Sequence, residues 1–138
     1  MIKFKNDNSR LFNEFNELRK NNFDLYNLIK NVESYINYYF KKDIIITMIY
    51  RTQEEQDQIY RGSKMGSREY NIKPWKSPHQ FWHSVDIRSI IFAPDEIKKI
   101  EEFINLNCEE TNYYKWSAKN HEVNNGGEHF HIQYIRKE

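Results

Sequence analysis

Apolar positions between Ser9 and about Phe40 recur at intervals of three and four: Leu11, Phe12, Phe15 and Leu18, then Leu25, Leu28, Ile29, Val32 and Ile36. That spacing lines one face of an α-helix. The Asn21-Asn22 pair interrupts it, so the pattern predicts two helices rather than one. Ser9 stands where its hydroxyl can cap the first helix by accepting from an otherwise unpaired backbone N–H. From Ile44 to Tyr50 the pattern changes to a short β-branched run, which predicts a buried strand. Thr52-Gln53-Glu54-Glu55 then has the form of a capping box and predicts a helix to about Tyr60, ended by Arg61-Gly62. Residues 62–78, with Gly62, Gly66, Pro74 and Pro78, read as a long loop, and loops of that length in small domains usually serve function. A second strand is predicted from Ser84 to Ile91. Pro94 opens a helix with Ile97, Ile100 and Ile104 as its buried stripe. Tyr113 to Trp116 and His129 to Ile135 read as two more strands, joined by a polar loop through Asn124-Asn125-Gly126-Gly127. This order predicts an α+β fold, with N-terminal helices packed on a small, mainly antiparallel sheet.

Composition narrows the picture. The chain has 138 residues, which suits one domain, divided into a helical N-terminal part at 1–42 and a core at about 43–138. Lys and Arg number 21 against 20 Asp and Glu, so bulk charge gives no ground for a nucleic-acid partner. Mean hydropathy is low, at −0.95, yet ten Tyr, nine Phe and three Trp supply the apolar area that disordered chains lack. The single Cys108 excludes an internal disulfide and any zinc site built from several thiolates of one chain. No run approaches the roughly 20 apolar residues of a membrane span. The N-terminus shows no apolar stretch followed by a small-residue cleavage site, so synthesis in the cytoplasm without a signal peptide is expected, as a monomer.

Candidate chemistry gathers in the second half. All five histidines follow Pro78: His79, His83, His121, His129 and His131. Within Ser77-Pro78-His79-Gln80-Phe81-Trp82-His83-Ser84-Val85-Asp86, His79 falls at a loop end and Asp86 in the following strand. Asp86 is flanked by Val85 and Ile87, and a carboxylate among apolar neighbours needs a partner; Arg88 or a loop lysine is the plain alternative to a metal. Glu128-His129-Phe130-His131 supplies the distant remainder. Two imidazoles and one carboxylate make a three-ligand site with a position left for water, the form of catalytic zinc sites. Strand alternation puts Glu128 and His131 on opposite faces, while His129, His131 and Gln133 share one. Glu128 therefore reaches the same ion as His131 only if it lies before regular pairing begins. If the strand starts earlier, His129 becomes the competing ligand.

These residues resemble the zinc D-Ala-D-Ala carboxypeptidase and L-alanyl-D-glutamate endopeptidase family, whose small single-domain members include phage endolysins. The resemblance rests on Ser-x-His-x6-Asp, on Glu-x-x-His downstream, and on Tyr50-Arg51-Thr52 with Gln56 upstream, over about residues 44–135. It implies a hedgehog- or DD-peptidase-like fold and a Zn2+ ion held by His79, Asp86 and His131. It further implies Glu128 as general base, Arg51 on the substrate carbonyl, and Ser77 in the cleft, with Gln56 and Trp116 as further substrate-binding candidates. The implied partner is a peptidoglycan peptide, cleaved in the cell wall after release of the enzyme. Two departures stand out: Trp82 replaces a usual Gly, and Ser84 a usual Ala. A non-catalytic zinc-containing module that binds wall or protein on the same scaffold is the alternative. A non-haem iron oxygenase is a third class, but its His and acid ligands usually stand two apart, not seven.

Overall fold

The computed structural model describes residues 1–52, 54–55, 78–107, 118–123 and 127–134. Five strands form one sheet: β1 (Ile2–Phe4), β2 (Ile44–Met48), β3 (Ser84–Arg88), β4 (Ala118–Val123) and β5 (Gly127–Gln133), in the order β1-β2-β3-β5-β4. β1 runs parallel to β2, and the other neighbouring pairs are antiparallel. Among the described residues the helices that accompany the sheet are α1 (Ser9–Asn21), α2 (Phe23–Phe40) and α3 (Pro94–Asn107). The α+β class is as the sequence predicts. The N-terminal strand is an addition, since the lysine- and asparagine-rich start of the chain reads as a solvated helical face. Phe4 draws it in, packing edge-on against Phe12 (5.8 Å between centroids) and at a tilt against Phe15 (6.0 Å).

The helical pair forms as its spacing requires. Leu18, Leu25, Ile29, Val32 and Ile36 are fully buried, and Leu11, Phe15 and Leu28 nearly so. Each such side chain contributes roughly 1.5–3 kcal/mol by leaving water. The break falls at Asn22, which ends α1 and starts α2: its N–H donates to Leu18 O (2.8 Å), and its Oδ1 accepts from Leu25 N–H (3.2 Å). The cap of α1 is Asn8, not Ser9. Asn8 Oδ1 accepts from the N–H groups of Arg10 (2.8 Å) and Leu11 (3.4 Å), and Ser9 is already the first helical residue.

One face of the sheet carries Ile44, Ile46, Val85, Ile87, Phe130 and Ile132, all fully buried and in one cluster with the helices and with Ile100 and Ile104 of α3. Strand residues alternate between faces. The opposite face therefore presents Ser84, Asp86 and Arg88 of β3, and across from them Gln133, His131 and His129 of β5, in register. The register of β2 on β3 slips between Ile46 and Met48, which brings Met48 across from Asp86 and ends the strand two residues before the predicted Tyr50. A bulge of this kind re-aims the chain beyond it. β3 likewise stops at Arg88 rather than Ile91. Thr52 and Glu55 form the predicted capping box: Glu55 N–H donates to Thr52 Oγ1 (3.2 Å) and Thr52 N–H to Glu55 Oε1 (3.0 Å). The remainder of that predicted helix, the loop at 62–77, Cys108 and the strand expected at Tyr113–Trp116 lie outside the described residues. Among the described residues, no helix is long and apolar enough to cross a membrane.

Candidate metal centre

Asp86 sits at the middle of β3, directly across from His131 of β5. Its buried carboxylate gathers three imidazoles. His79 Nε2 is 3.2 Å from Oδ2, His131 Nδ1 is 3.0 Å from Oδ1, and His129 Nε2 is 3.5 Å from Oδ2. His79 comes from a single 3-10 turn, Pro78–Phe81, and lies edge-on to His131 with ring centroids 5.3 Å apart. Among the described residues these imidazoles, and not Arg88, stand within ion-pair distance of Asp86.

Turning back from the 3-10 turn into β3 requires a left-handed residue, and Trp82 supplies it with φ 62°. For a residue with a Cβ this backbone costs about 1–2 kcal/mol, a cost glycine avoids. That accounts for Gly at this position in the family the motif resembles. Here the indole stacks on Tyr50 (4.9 Å between centroids, 25° between planes), and such pairs contribute about 0.5–1.5 kcal/mol.

The outer nitrogens of the two nearest rings are both held by carbonyl oxygens. His79 Nδ1–H donates to Ile49 O (3.0 Å), since a carbonyl can only accept. His131 Nε2–H donates to Gln133 Oε1 (3.0 Å). A neutral ring so engaged turns a lone pair inward, here onto a carboxylate oxygen that also only accepts. Such facing pairs need a proton or a cation between them. One divalent ion meets all three donors at once, because the inward atoms of His79, Asp86 and His131 lie within 4.8 Å of one another. Donors set tetrahedrally at 2.0–2.2 Å from zinc stand roughly 3.3–3.6 Å apart, close to the contacts found here. The triad therefore could hold a metal ion.

Charge around the triad fits the same account. Burial pushes the His79 pKa below its ordinary value of 6.5, with Asp86 only partly opposing it. Burial works against the charged form of His131 too, but its hydrogen bond to Asp86 and the attraction of that carboxylate prevail, and its pKa is raised. Burial disfavours the Asp86 anion, yet His79 and His131 together hold its pKa well below 3.8. Asp86 is therefore ionised at any ordinary pH, and His131 holds a second proton to higher pH than a free imidazole, a proton that an arriving ion must displace. Metal binding should release about one proton per ion between the lowered His79 pKa and the raised His131 pKa, so affinity should rise about tenfold per pH unit there and level off above it. Isothermal titration in two buffers of different ionisation enthalpy measures that number. In the metal-free protein the His131 contribution to stability is complete below pH 6.5 and lost as pH rises through the raised value.

Arg51 is buried beside the triad: its N–H donates to His79 O (3.3 Å), and its positive charge bears on both His79 and His131. Glu55, four residues along from Arg51, is engaged by Arg10 in two contacts of 2.7 Å, which carry its pKa down to about 2. Arg10 also donates to Tyr50 O (3.2 Å), and Tyr50 N–H donates to Glu14 (3.3 Å), so α1 fixes the residue before Arg51.

Glu128 is not brought to the triad. β5 begins at Gly127, and Glu128 is already paired in register with Glu122 of β4, so alternation turns it to the face opposite His131. Ser89, itself fully buried, donates through Oγ to Glu128 Oε1 (3.1 Å). The condition that Glu128 precede the regular pairing is unmet, and the buried imidazole near Asp86 on that strand, besides His131, is His129. Ser77, Gln56 and Trp116 lie outside the described residues. Gln133 and the Ile49 carbonyl escaped the sequence reading as partners of the ligands, although the alternation His129-x-His131-x-Gln133 already places Gln133 on the right face. Ser84, on that face as well, is fully buried, and its Oγ finds no hydrogen-bond partner among the described residues. Compared with protein-family models, with curated proteins and with solved structures, the chain matches none.

Proposed function

We propose that the protein is a zinc-dependent peptidase that hydrolyses stem or cross-link peptides of bacterial peptidoglycan. The observation that carries this reading is the buried convergence of His79, Asp86 and His131 from two distant stretches, with lone pairs turned inward and Arg51 alongside. The order of Tyr-Arg-Thr, Ser-x-His-x6-Asp and Glu-x-x-His supports it. In this account the triad holds the ion. When bound, zinc polarises the scissile carbonyl and lowers the pKa of a water toward about 7. Arg51 places a fixed cation where charge builds on the carbonyl oxygen, and that interaction gains most where water is excluded. Ile49 O and Gln133 keep the ligand rings from turning.

The non-catalytic zinc module is the second reading, favoured by one observation: Glu128, whose presence as a base would mark an enzyme, faces away from the triad. One experiment separates the two. Purified peptidoglycan is digested with the zinc-loaded protein, with and without chelator, and the fragments are read by mass spectrometry. A peptidase yields new peptide termini that vanish with chelator and return with zinc. Bound zinc without new termini leaves only the module. Glu128→Gln extends the test. From its placement this variant should keep its zinc and stay within about tenfold of the parent activity, whereas loss of a general base costs about 100- to 10,000-fold. A loss of that size with zinc retained would place Glu128 at the metal and require β5 to start its pairing after it.

A further inference from the structure

His79 and His131 turn different nitrogens toward Asp86: Nε2 from His79, Nδ1 from His131. For His79 the choice is made by main chain, through Ile49 O. For His131 the outer nitrogen meets a side chain, Gln133 Oε1 at 3.0 Å, two residues along the same strand and on the same face. Gln133 is 3% exposed, so water competes little for this bond. We propose that Gln133 is a positioning residue that fixes the His131 ring and its tautomer, so that Nδ1 is the atom offered to the metal. The inference rests on the metal-centre reading of the triad.

The geometry leaves His131 little choice. Its Cα partner across the sheet is Asp86, and the near ring nitrogen, Nδ1, is the one that reaches straight across. The far nitrogen then runs along the face toward residue 133. Without an acceptor there, a neutral ring is free to carry its proton on Nδ1, the form that cannot ligate through that atom. A ring turned about its own axis would carry Nδ1 away from the site. Outer partners of this kind typically account for 10- to 100-fold in metal affinity.

Zinc affinity, read by competition with a chromophoric chelator, tests the proposal together with the visible spectrum of the Co2+-loaded protein. Gln133→Met keeps length but offers no comparable acceptor, and should weaken zinc binding 10- to 100-fold and alter the Co2+ bands. Gln133→Glu restores an acceptor and should bring affinity back to the parent value or tighter. Ser84→Ala, directly across from Gln133, changes the packing but not the acceptor, and should leave affinity and spectrum as they are. Long-range 1H–15N NMR of the zinc-loaded parent reads the tautomer without any variant: His131 should carry its proton on Nε2. Wild-type affinity in Gln133→Met, or a proton on Nδ1, overturns the role of Gln133 while leaving the metal centre standing. A parent protein that binds neither zinc nor Co2+ removes both.

Discussion

Asp86→Asn should lose tight zinc binding, and with it hydrolysis, while the chain stays folded. The amide keeps the shape of the carboxylate but neither its charge nor its capacity to accept from both sides. Among the described residues Asp86 is the anion that gathers three imidazoles, at 3.0, 3.2 and 3.5 Å, with the positive charge of Arg51 close by. Without it, a divalent ion meets only neutral rings and a repelling cation. Loss of an outer partner of a metal ligand costs 10- to 100-fold in affinity, so loss of a charged ligand should exceed about 100-fold. The same substitution has a signature in the metal-free protein. The His131 pKa is raised because its bond to Asp86 and the charge of Asp86 outweigh burial. With asparagine there, burial prevails and the pKa should fall below 6.5, which an NMR titration of the ring reads directly. Unchanged zinc affinity in a folded Asp86→Asn protein would mean the triad is a structural cluster and not a metal centre.

Much of this arrangement is legible in the sequence because it depends on local pattern. Three- and four-residue spacing marks α1 and α2, and two adjacent asparagines mark their break. A β-branched run marks β2, and a carboxylate between Val85 and Ile87 marks a buried partner. His79, Asp86 and His131 stand out through the resemblance that their motifs carry, while strand alternation by itself leaves His129 open beside His131. The failures share a different cause: each depends on which segment pairs with which. Glu128 reads as a base only if β5 begins after it. That start is fixed where β5 pairs with Ala118–Val123 of β4, and a start moved by one residue decides which face a side chain joins. Ser9 reads as a cap because serine is a good one, but Asn8 precedes it and does the same work. The left-handed backbone at Trp82 has no sequence signal in a tryptophan; only the Gly of the resembling family hinted at it. The N-terminal strand forms because β2 offers a parallel edge, which nothing in residues 2–4 announces.

Asn22→Ala carries the second large expectation, a loss of about 3–7 kcal/mol of stability together with weaker metal binding. Asn22 is fully buried and uses its whole side chain. Oδ1 caps α2 through Leu25 N–H, and Nδ2 donates to Trp82 O (3.0 Å) and to Tyr134 O (2.8 Å). The amide thus joins the helix layer to the chain just before β3 and just after β5, the two strands that bring Asp86 and His131 face to face. Tyr134 N–H donates to His83 O (2.8 Å), so the same three segments close on one another. Removing the cap costs about 1 kcal/mol, and each carbonyl left buried without its donor costs about 1–3 kcal/mol. Against a typical total of 5–15 kcal/mol that is a large share. Trp82 is where the effect passes to the site, because its left-handed backbone is held in part by the bond from Asn22. Once that bond is gone the turn can relax, and His79 moves with it. Asn22→Asp separates the contributions: the carboxylate still caps α2 but donates to neither carbonyl, so it should keep the helix and lose the connection. Chemical denaturation gives the stability difference and chelator competition the affinity. An Asn22→Asp protein as stable and as tight for zinc as the parent would show that the cap alone matters and that the two carbonyl bonds do not position the site.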